Sequence, residues 1–374
     1  MERKNFIFFA TSSFNSLPHR DQFLATSLAR LGHKVTFIEE IPSVASVIKK
    51  KLNRQKKEGS NISNLIFERY IPPIIPTFFR SSYSRNLDKF IFKRWFKSLI
   101  KKIDLTKSVV IIFSPIWFYY LDGYYDIKTL IYDIHDDIQI SSRNERTLCF
   151  LKIWEDIGIK KANFIICSSR GLQIFYENKY SIKVHLIYNG IDSNLLNKLS
   201  LNQNNSTKKI GIVGSFNVKP QCYNIEILKK IINKYPDYKL VLVGNVNSTI
   251  KKNLSISIYP NIELKGFMAG DQLWEEVLTW TVCLIPFINS SVTSLINPLK
   301  LYEYIACGKP IVAFDNFDYE DAKEFIYLSK NDDEFLSNVE NAILNSNIKI
   351  NKRVIDYLFQ KTWEKRVQDL LNLI

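Results

Sequence analysis

The chain has 374 residues, 46% hydrophobic and 13% aromatic, with a formal charge of +14. One hydrophobic core rarely fills that length and a globally disordered chain is excluded by that composition, so two folded domains are expected. The charge points to an anionic partner, whether nucleic acid, bilayer or phosphorylated ligand, although a Lys-, Asn- and Ile-rich genome composition also raises it. The apolar run Phe6–Ala10 is short for a signal-peptide core and reads as a first buried strand. The longest apolar stretch, Val109–Leu121, is broken by Ser114 and Pro115. It falls short of the roughly 20 residues a spanning helix needs, so no membrane-crossing segment is expected. The five cysteines, Cys149, Cys167, Cys222, Cys283 and Cys307, contain no C-x-x-C pair and read as reduced thiols of a cytosolic protein. None of the four histidines has ligand spacing to a cysteine, so no structural metal is expected.

In chain order, Asn5–Thr11 reads as a strand, Ser12–Asp21 as a loop, Gln22–Leu31 as a helix closed by Gly32, and Lys34–Glu39 as the next strand. Further strands are predicted at Val109–Phe113, Thr129–Ile134, Phe164–Cys167 and Val184–Tyr188, with helical stretches between. This alternation argues for a parallel α/β sheet. The polar stretch Leu201–Lys208 is the best linker candidate. After it the rhythm restarts with strand Lys209–Val213, helix Asn224–Tyr235 and strand Leu240–Val243. Two α/β domains thus occupy residues 1–200 and 208–350, followed by a terminal helix over 351–374. In such sheets ligands bind outside the carboxyl ends of the strands.

The richest segment runs from Ser294 to Phe314. Asn297 is a good N-cap, Pro298 suits the first helical position, Gly308 closes a helix of about ten residues, and Pro310 launches strand Ile311–Phe314. A helix N-terminus offers free amide donors that suit a pyrophosphate. Lys300 and Glu303 share a helix face. An ammonium beside a pyrophosphate, and a carboxylate one turn deeper to accept ribose hydroxyls, would fit a nucleoside diphosphate. An ordinary surface ion pair has the same spacing.

The stretch Pro298-Leu-Lys-Leu-Tyr-Glu-Tyr-Ile-Ala-Cys-Gly-Lys-Pro-Ile-Val resembles the donor-site signature of GT-B glycosyltransferases, near family four and the teichuronic-acid type. Ile210–Ser215, Leu240–Gly244, Asn261–Gly266 and Cys283–Phe287 look like that family's strand-end positions, and Lys161–Ser169 with Tyr188–Asp192 like its approach to the hinge. The resemblance implies an α/β fold of two Rossmann-like lobes with parallel sheets. It implies transfer of a sugar from a nucleoside diphosphate sugar without a bound metal or other cofactor. It assigns Glu303 to the ribose, Asn297, Pro298, Leu299, Lys300 and Leu301 to the pyrophosphate side, and Gly214, Ser215, Gly244, Gly266, Phe267, Pro286 and Phe287 to the pocket lining. One departure stands out: many family members carry a glutamate eight residues before the ribose-binding one, where this chain has Leu295.

In the N-terminal half, His135, Asp136 and Asp137 follow a predicted strand and are candidate catalytic residues, able to deprotonate an acceptor hydroxyl or hold the donor sugar. A solvated turn with Asp136 or Asp137 as N-cap is the plainer alternative. Arg20 and Asp21 lie in the first βα loop just before a helix, where an arginine can point at phosphate; a plain capping loop is an equal competitor. From Arg80 to Lys102 eight basic residues face a single acid, Asp88. A helical wheel puts Ile91, Phe92, Trp95, Phe96 and Leu99 on one half and Lys89, Lys93, Lys97 and Lys101 on the other. Such a helix can lie on an anionic bilayer, with the Lys49–Lys57 run adding to it, or its aromatic half can pack on the lobe's own core. Nucleic acid is not expected as a partner, since no helix-turn-helix, RNP or OB signature occurs. The expected protein is a cytoplasmic enzyme, peripheral on the inner membrane face, with a glycan or lipid-linked acceptor in bacterial surface polysaccharide synthesis. The alternatives are a GT-B nucleotide-sugar epimerase and a non-catalytic paralogue.

Overall fold

The computed structural model describes residues 2–11, 13–14, 19–39, 67–73, 82–124, 127–138, 145–199, 207–216, 222–268, 270–316, 318–319, 322–346 and 352–374. The chain divides into two compact units, residues 1–188 with 366–374, and residues 189–365.

The first unit is built on a seven-stranded sheet. Its strands are β1 (Asn5–Phe9), β2 (Lys34–Ile38), β3 (Phe67–Tyr70), β4 (Ser108–Ile112), β5 (Thr129–Ile134), β6 (Phe164–Cys167) and β7 (His185–Leu186). Their order is β3-β2-β1-β4-β5-β6-β7, and every pairing is parallel. Central β4 is buried at all five positions, which explains why it reads as a continuous apolar run rather than an alternating one. Its helices are α1 (Arg20–Arg30), α2 (Ser82–Leu99), α3 (Pro115–Leu121), α4 (Glu145–Lys161) and α5 (Arg170–Tyr180). Helix α1 starts two residues earlier than expected, because the Gln22 side-chain oxygen accepts from the His19 N–H at 3.3 Å and closes the first turn. Ser114 and Pro115, which interrupt the apolar stretch, are the start of α3, with proline where its missing N–H costs nothing.

Helix α2 corrects the wheel. Phe92, Phe96 and Leu99 are buried, and the Phe96 ring lies 5.8 Å from Phe9 and 4.9 Å from Tyr124. The aromatic half belongs to the unit's own core. Lys89 turns inward too, 3.0 Å from the Asp122 carboxylate and 4.5 Å above the Tyr119 ring. What faces outward is a different stripe, Leu87 and Phe90 at 59% and 65% exposure with Arg94, Lys97 and Lys101. Arg80 and the Lys49–Lys57 run lie outside the described residues.

The second unit carries β8 (Lys209–Val213), β9 (Lys239–Val243), β10 (Ile262–Gly266), β11 (Val282–Ile285), β12 (Ile311–Phe314) and β13 (Ile326–Ser329). The order is β10-β9-β8-β11-β12-β13, again all parallel. Among its helices, α6 (Ser193–Leu199) precedes the sheet, α7 (Ile225–Lys234) follows β8, and α8 (Lys300–Ala306) connects β11 to β12. Asn224 caps α7, its side-chain oxygen accepting from Ile227 N–H at 3.0 Å.

The boundary between units falls after Tyr188, ahead of the polar stretch proposed as linker, of which residues 201–206 lie outside the described ones. Backbone pairing explains the shift: Ile191 N–H donates to Lys361 O at 2.9 Å, and Trp363 N–H donates to Ile191 O at 3.0 Å. The expected terminal helix is two helices, α9 (Lys352–Phe359) and α10 (Trp363–Leu373), separated where Lys361 and Thr362 make that pairing.

Candidate functional site

In the second unit the sheet runs outward from β8 in one direction through β9 and β10, and in the other through β11, β12 and β13. The strand order therefore reverses between β8 and β11, the place where such sheets leave room for a ligand. The expected pocket residues gather at these carboxyl ends: Gly214 and Ser215 after β8, Gly244 after β9, Gly266 and Phe267 at the end of β10, Pro286 and Phe287 after β11. Gly214 N–H donates to Val243 O at 3.0 Å, and Gly244 N–H donates to Gly266 O at 2.7 Å. Gly244 has φ +130°, and a Cβ there would lie 1.9 Å from Gly214 O, so no other residue fits. Three strand ends are thus stitched by bare backbone. Ser215 is exposed and Phe267 is 51% exposed at the same edge.

Lys300 reaches this edge. It is buried, and its Nζ donates to Val213 O at 2.9 Å, with the ammonium 4.5 Å above the Phe287 ring and 5.5 Å from that of Tyr223. A Cβ on Gly214 would come 3.4 Å from the same Nζ. Burial lowers the Lys300 pKa to about 7 against the pull of Glu303. Burial likewise raises the Glu303 pKa to about 8, opposed by Lys300 and reinforced by Asp192. Glu303 is half-buried, and among the described residues its carboxylate has no hydrogen-bond partner. The pair is no surface ion pair. It is a partly desolvated couple with unused acceptor capacity.

The helix around them departs from expectation. It spans the seven residues Lys300–Ala306, with Leu299 already in helical conformation, and Asn297 does not cap it. The Asn297 side chain is spent instead on Asn189 N–H at 3.3 Å and Asp318 O at 3.0 Å, binding two loops together. Leu301 is fully buried in the hydrophobic core, so its side chain does not line the edge. Pro298 is buried in the turn before the helix, and Leu299 is half-buried. Sequence reasoning missed Tyr223, whose ring is a wall of the Lys300 niche, and Tyr304, whose Oη accepts from Val213 N–H at 2.8 Å. Tyr304 stands within the recognised segment, while Tyr223 carries no spacing signal.

In the first unit, His135, Asp136 and Asp137 do follow the carboxyl end of β5. His135 is half-buried, its carbonyl accepts from Ser168 Oγ at 3.0 Å, and its Nε2 lies 3.9 Å from the Asp136 carboxylate. Asp136 is exposed and Asp137 is buried. Ile138, directly after Asp137, is helical, as an N-cap at Asp137 requires, and residues 139–144 lie outside the described ones. Arg20 and Asp21 do not present themselves to a ligand as expected. Arg20 is 2% exposed, and its Nε donates to both oxygens of Asp133, at 3.0 and 2.9 Å. Asp21 is buried and accepts from Thr11 N–H at 2.9 Å. Both are internal struts, because a buried guanidinium needs a buried carboxylate. Asp133 was the unassigned partner. Desolvation raises its pKa even with Arg20 beside it. A surface pocket of about 330 Å³ lies against Ile100–Thr106 and Tyr124, and none of the expected site residues lines it.

Residues 207–345 match the family described as glycosyl transferases group 1, and residues 23–195 match Glycosyltransferase Family 4. TuaH of Bacillus subtilis, described as a teichuronic acid biosynthesis glycosyltransferase, is 27% identical over 209 residues, 51% of this chain and 52% of that protein. The match thus spans about half the length of that relative. Sucrose-phosphate synthase from Thermosynechococcus elongatus has the same architecture, with a TM-score of 0.72 at 13% identity, covering 100% of this chain and 98% of the other. HepE of Anabaena, solved in complex with UDP and glucose, gives a TM-score of 0.66 at 14% identity over 100% of this chain and 99% of its own. At such identities the structural likeness speaks for the fold alone. With one family match in each half of the chain and two parallel α/β lobes beneath them, the chain belongs to the GT-B glycosyltransferases of the family-four type.

Proposed function

We propose that this glycosyltransferase moves a sugar from a nucleoside diphosphate sugar, bound at the carboxyl edge of the second unit's sheet, to a glycan or lipid-linked acceptor in bacterial surface polysaccharide synthesis. The observation that carries the reading is Lys300, an ammonium held at the strand-order reversal beside Gly214. A diphosphate has the charge to keep that lysine protonated, and the glycine-ended strands let it approach the backbone closely. Glu303 has acceptor capacity for ribose hydroxyls, and Phe267 has an exposed face on which a base can stack. As the anomeric carbon parts from the diphosphate, Lys300 and nearby N–H groups stabilise the charge left on the leaving oxygen. No resident metal is needed for that step. His135 and Asp136 are the candidates to receive the acceptor's proton, and Leu295 in place of a carboxylate leaves the donor sugar to be found by experiment.

The polysaccharide reading draws on the teichuronic acid relative, and a UDP-type donor on the neighbour solved with UDP and glucose. Among the described residues no helix is long and apolar enough to cross a membrane. A cytoplasmic enzyme working on a lipid-linked acceptor would meet it at an anionic bilayer, and the outward stripe Leu87–Phe90–Arg94–Lys97–Lys101 has the chemistry for that contact.

The test is a thermal-shift screen of wild type and Glu303→Ala against UDP-, GDP-, ADP- and TDP-sugars. Wild type should be stabilised by one nucleotide class, and Glu303→Ala should lose at least tenfold in affinity for it, about 1.4 kcal/mol or more, while keeping its fold. Equal affinity in both proteins would count against the site.

A further inference from the structure

Tyr223 has no task in the reading above beyond walling the Lys300 niche. It stands immediately before Asn224, the cap of α7, in a short segment tied to the loop after β11 by its backbone. Asn224 N–H donates to Pro286 O at 2.8 Å, and Ile288 N–H donates to Cys222 O at 3.0 Å. Those bonds make an antiparallel bridge that sets Tyr223 against Phe287. The phenol is clamped between two other rings, its centroid 4.8 Å from that of Phe216 and 4.9 Å from that of Phe287. Only 5% of the residue is exposed. Backbone and rings thus leave the phenol little freedom, and its hydroxyl ends at Gly214, where a Cβ would meet Tyr223 Oη at 2.2 Å. The same Cβ would lie 3.4 Å from Lys300 Nζ. Two donor groups from distant segments therefore converge on the end of β8.

A hydroxyl in so closed a place is expected to be bonded. Among the described residues Tyr223 Oη has no hydrogen-bond partner. The last residue of β8 is satisfied without it, since Val213 O accepts from Lys300 Nζ and Val213 N–H donates to Tyr304 Oη. Burial raises the Tyr223 pKa above its ordinary value, with Cys222 adding to it, so the phenol keeps its proton at neutral pH and is available as a donor. Gly214 is not one of the glycines with positive φ, so its backbone would accept a side chain. What excludes one is the Tyr223 hydroxyl itself.

We propose that Tyr223 is a further ligand of the donor: its hydroxyl donates a hydrogen bond to an oxygen of the nucleoside diphosphate, beside the ammonium of Lys300. The proposal rests on the reading of this edge as the donor site. An ammonium supplies charge with little direction, whereas a phenol clamped between two rings supplies one fixed, directed donor. During transfer the bond from the anomeric carbon to the diphosphate oxygen breaks, and its electron pair stays on that oxygen. The acceptor oxygen bonds to the carbon and gives its proton to the base on the acceptor side. Tyr223 keeps its own proton, and its hydrogen bond gains strength from the charge that collects on the diphosphate.

Tyr223→Phe removes the hydroxyl and keeps the ring. Calorimetry on the full-length proteins uses whichever of UDP, GDP, ADP or TDP stabilises the wild type, and Tyr223→Phe should bind it roughly tenfold more weakly. The melting temperature without ligand should not fall, because the hydroxyl has no bond inside the protein to lose. Equal affinity in the two proteins overturns the proposal, and so does a lower melting temperature without ligand, which would give the hydroxyl a structural partner. Gly214→Ala probes the placement with no ligand present. In the wild-type background the new Cβ collides with Tyr223 Oη, whereas in Tyr223→Phe it meets nothing closer than 3.4 Å. The melting temperature should drop in Gly214→Ala and recover in the double variant; an equal drop in both backgrounds overturns the placement. A wild type that binds none of the four diphosphates strikes the donor-site reading and the proposal with it, while the Gly214→Ala pair still reports where the hydroxyl lies.

Discussion

The two units share one architecture, yet the carboxyl edges of their sheets are chemically opposite. In the second unit three neighbouring strands end in glycine, and one buried ammonium stands over bare backbone. In the first unit the corresponding edge carries His19, His135 and Asp136 above a buried Arg20–Asp133 bridge. An edge of main-chain groups suits an anion that must come close, whereas an edge of titratable side chains suits a hydroxyl that must lose a proton. The fold supplies the place, and the residues at the strand ends decide the chemistry.

The largest effect should come from the buried bridge, which has no equivalent among the described residues of the second unit. Arg20→Met leaves Asp133 buried without its cation and should cost the first unit about 3–5 kcal/mol. Urea unfolding followed by a first-unit probe such as Trp117 fluorescence measures it, and nucleotide affinity should be unaffected. A loss below about 1 kcal/mol would show the bridge to be dispensable.

The Lys300–Glu303 couple should separate the edges by pH. Glu303 is raised from 4.5 to about 8 in the folded protein, so its contribution is present below pH 4.5 and is lost as pH rises through about 8. Lys300 is lowered from 10.5 to about 7, so the unfolded chain binds more protons between those values and stability rises with pH across them. The second unit should therefore be weakest near neutral pH, where a nucleoside diphosphate should stabilise it most. Urea midpoints across pH 5–10 for wild type and for the doubly neutral Lys300→Met, Glu303→Gln protein test this. The dip should flatten in the variant, and an equally deep dip would assign it to other groups.

The smallest effect concerns the outward stripe of α2. Phe90→Ser should weaken sedimentation with phosphatidylglycerol vesicles by roughly tenfold, about 1.5 kcal/mol for an aromatic ring withdrawn from the interface. No difference from wild type would remove this face as the membrane contact.

Much of this was readable from the chain. The strands at Thr129–Ile134, Phe164–Cys167 and Lys209–Val213 match residue for residue, since apolar runs bounded by polar or glycine residues leave little choice. The Lys300–Glu303 spacing and the strand-end glycines were equally plain. Other features were not, because they depend on what a side chain meets across the fold. Asn297 looked like a cap and became a tie between loops, Arg20 looked like a phosphate ligand and became half of a buried ion pair, and the aromatic half of α2 went into the core.

The sequence by itself determined the alternation of strands and helices and the family to which the chain belongs, because both are written in local periodicity and short motifs. Only the tertiary structure decided which charges are spent internally and which remain for chemistry. Burial and partner geometry are set by residues far apart in the chain, as Arg20 and Asp133 show, and no spacing rule encodes them.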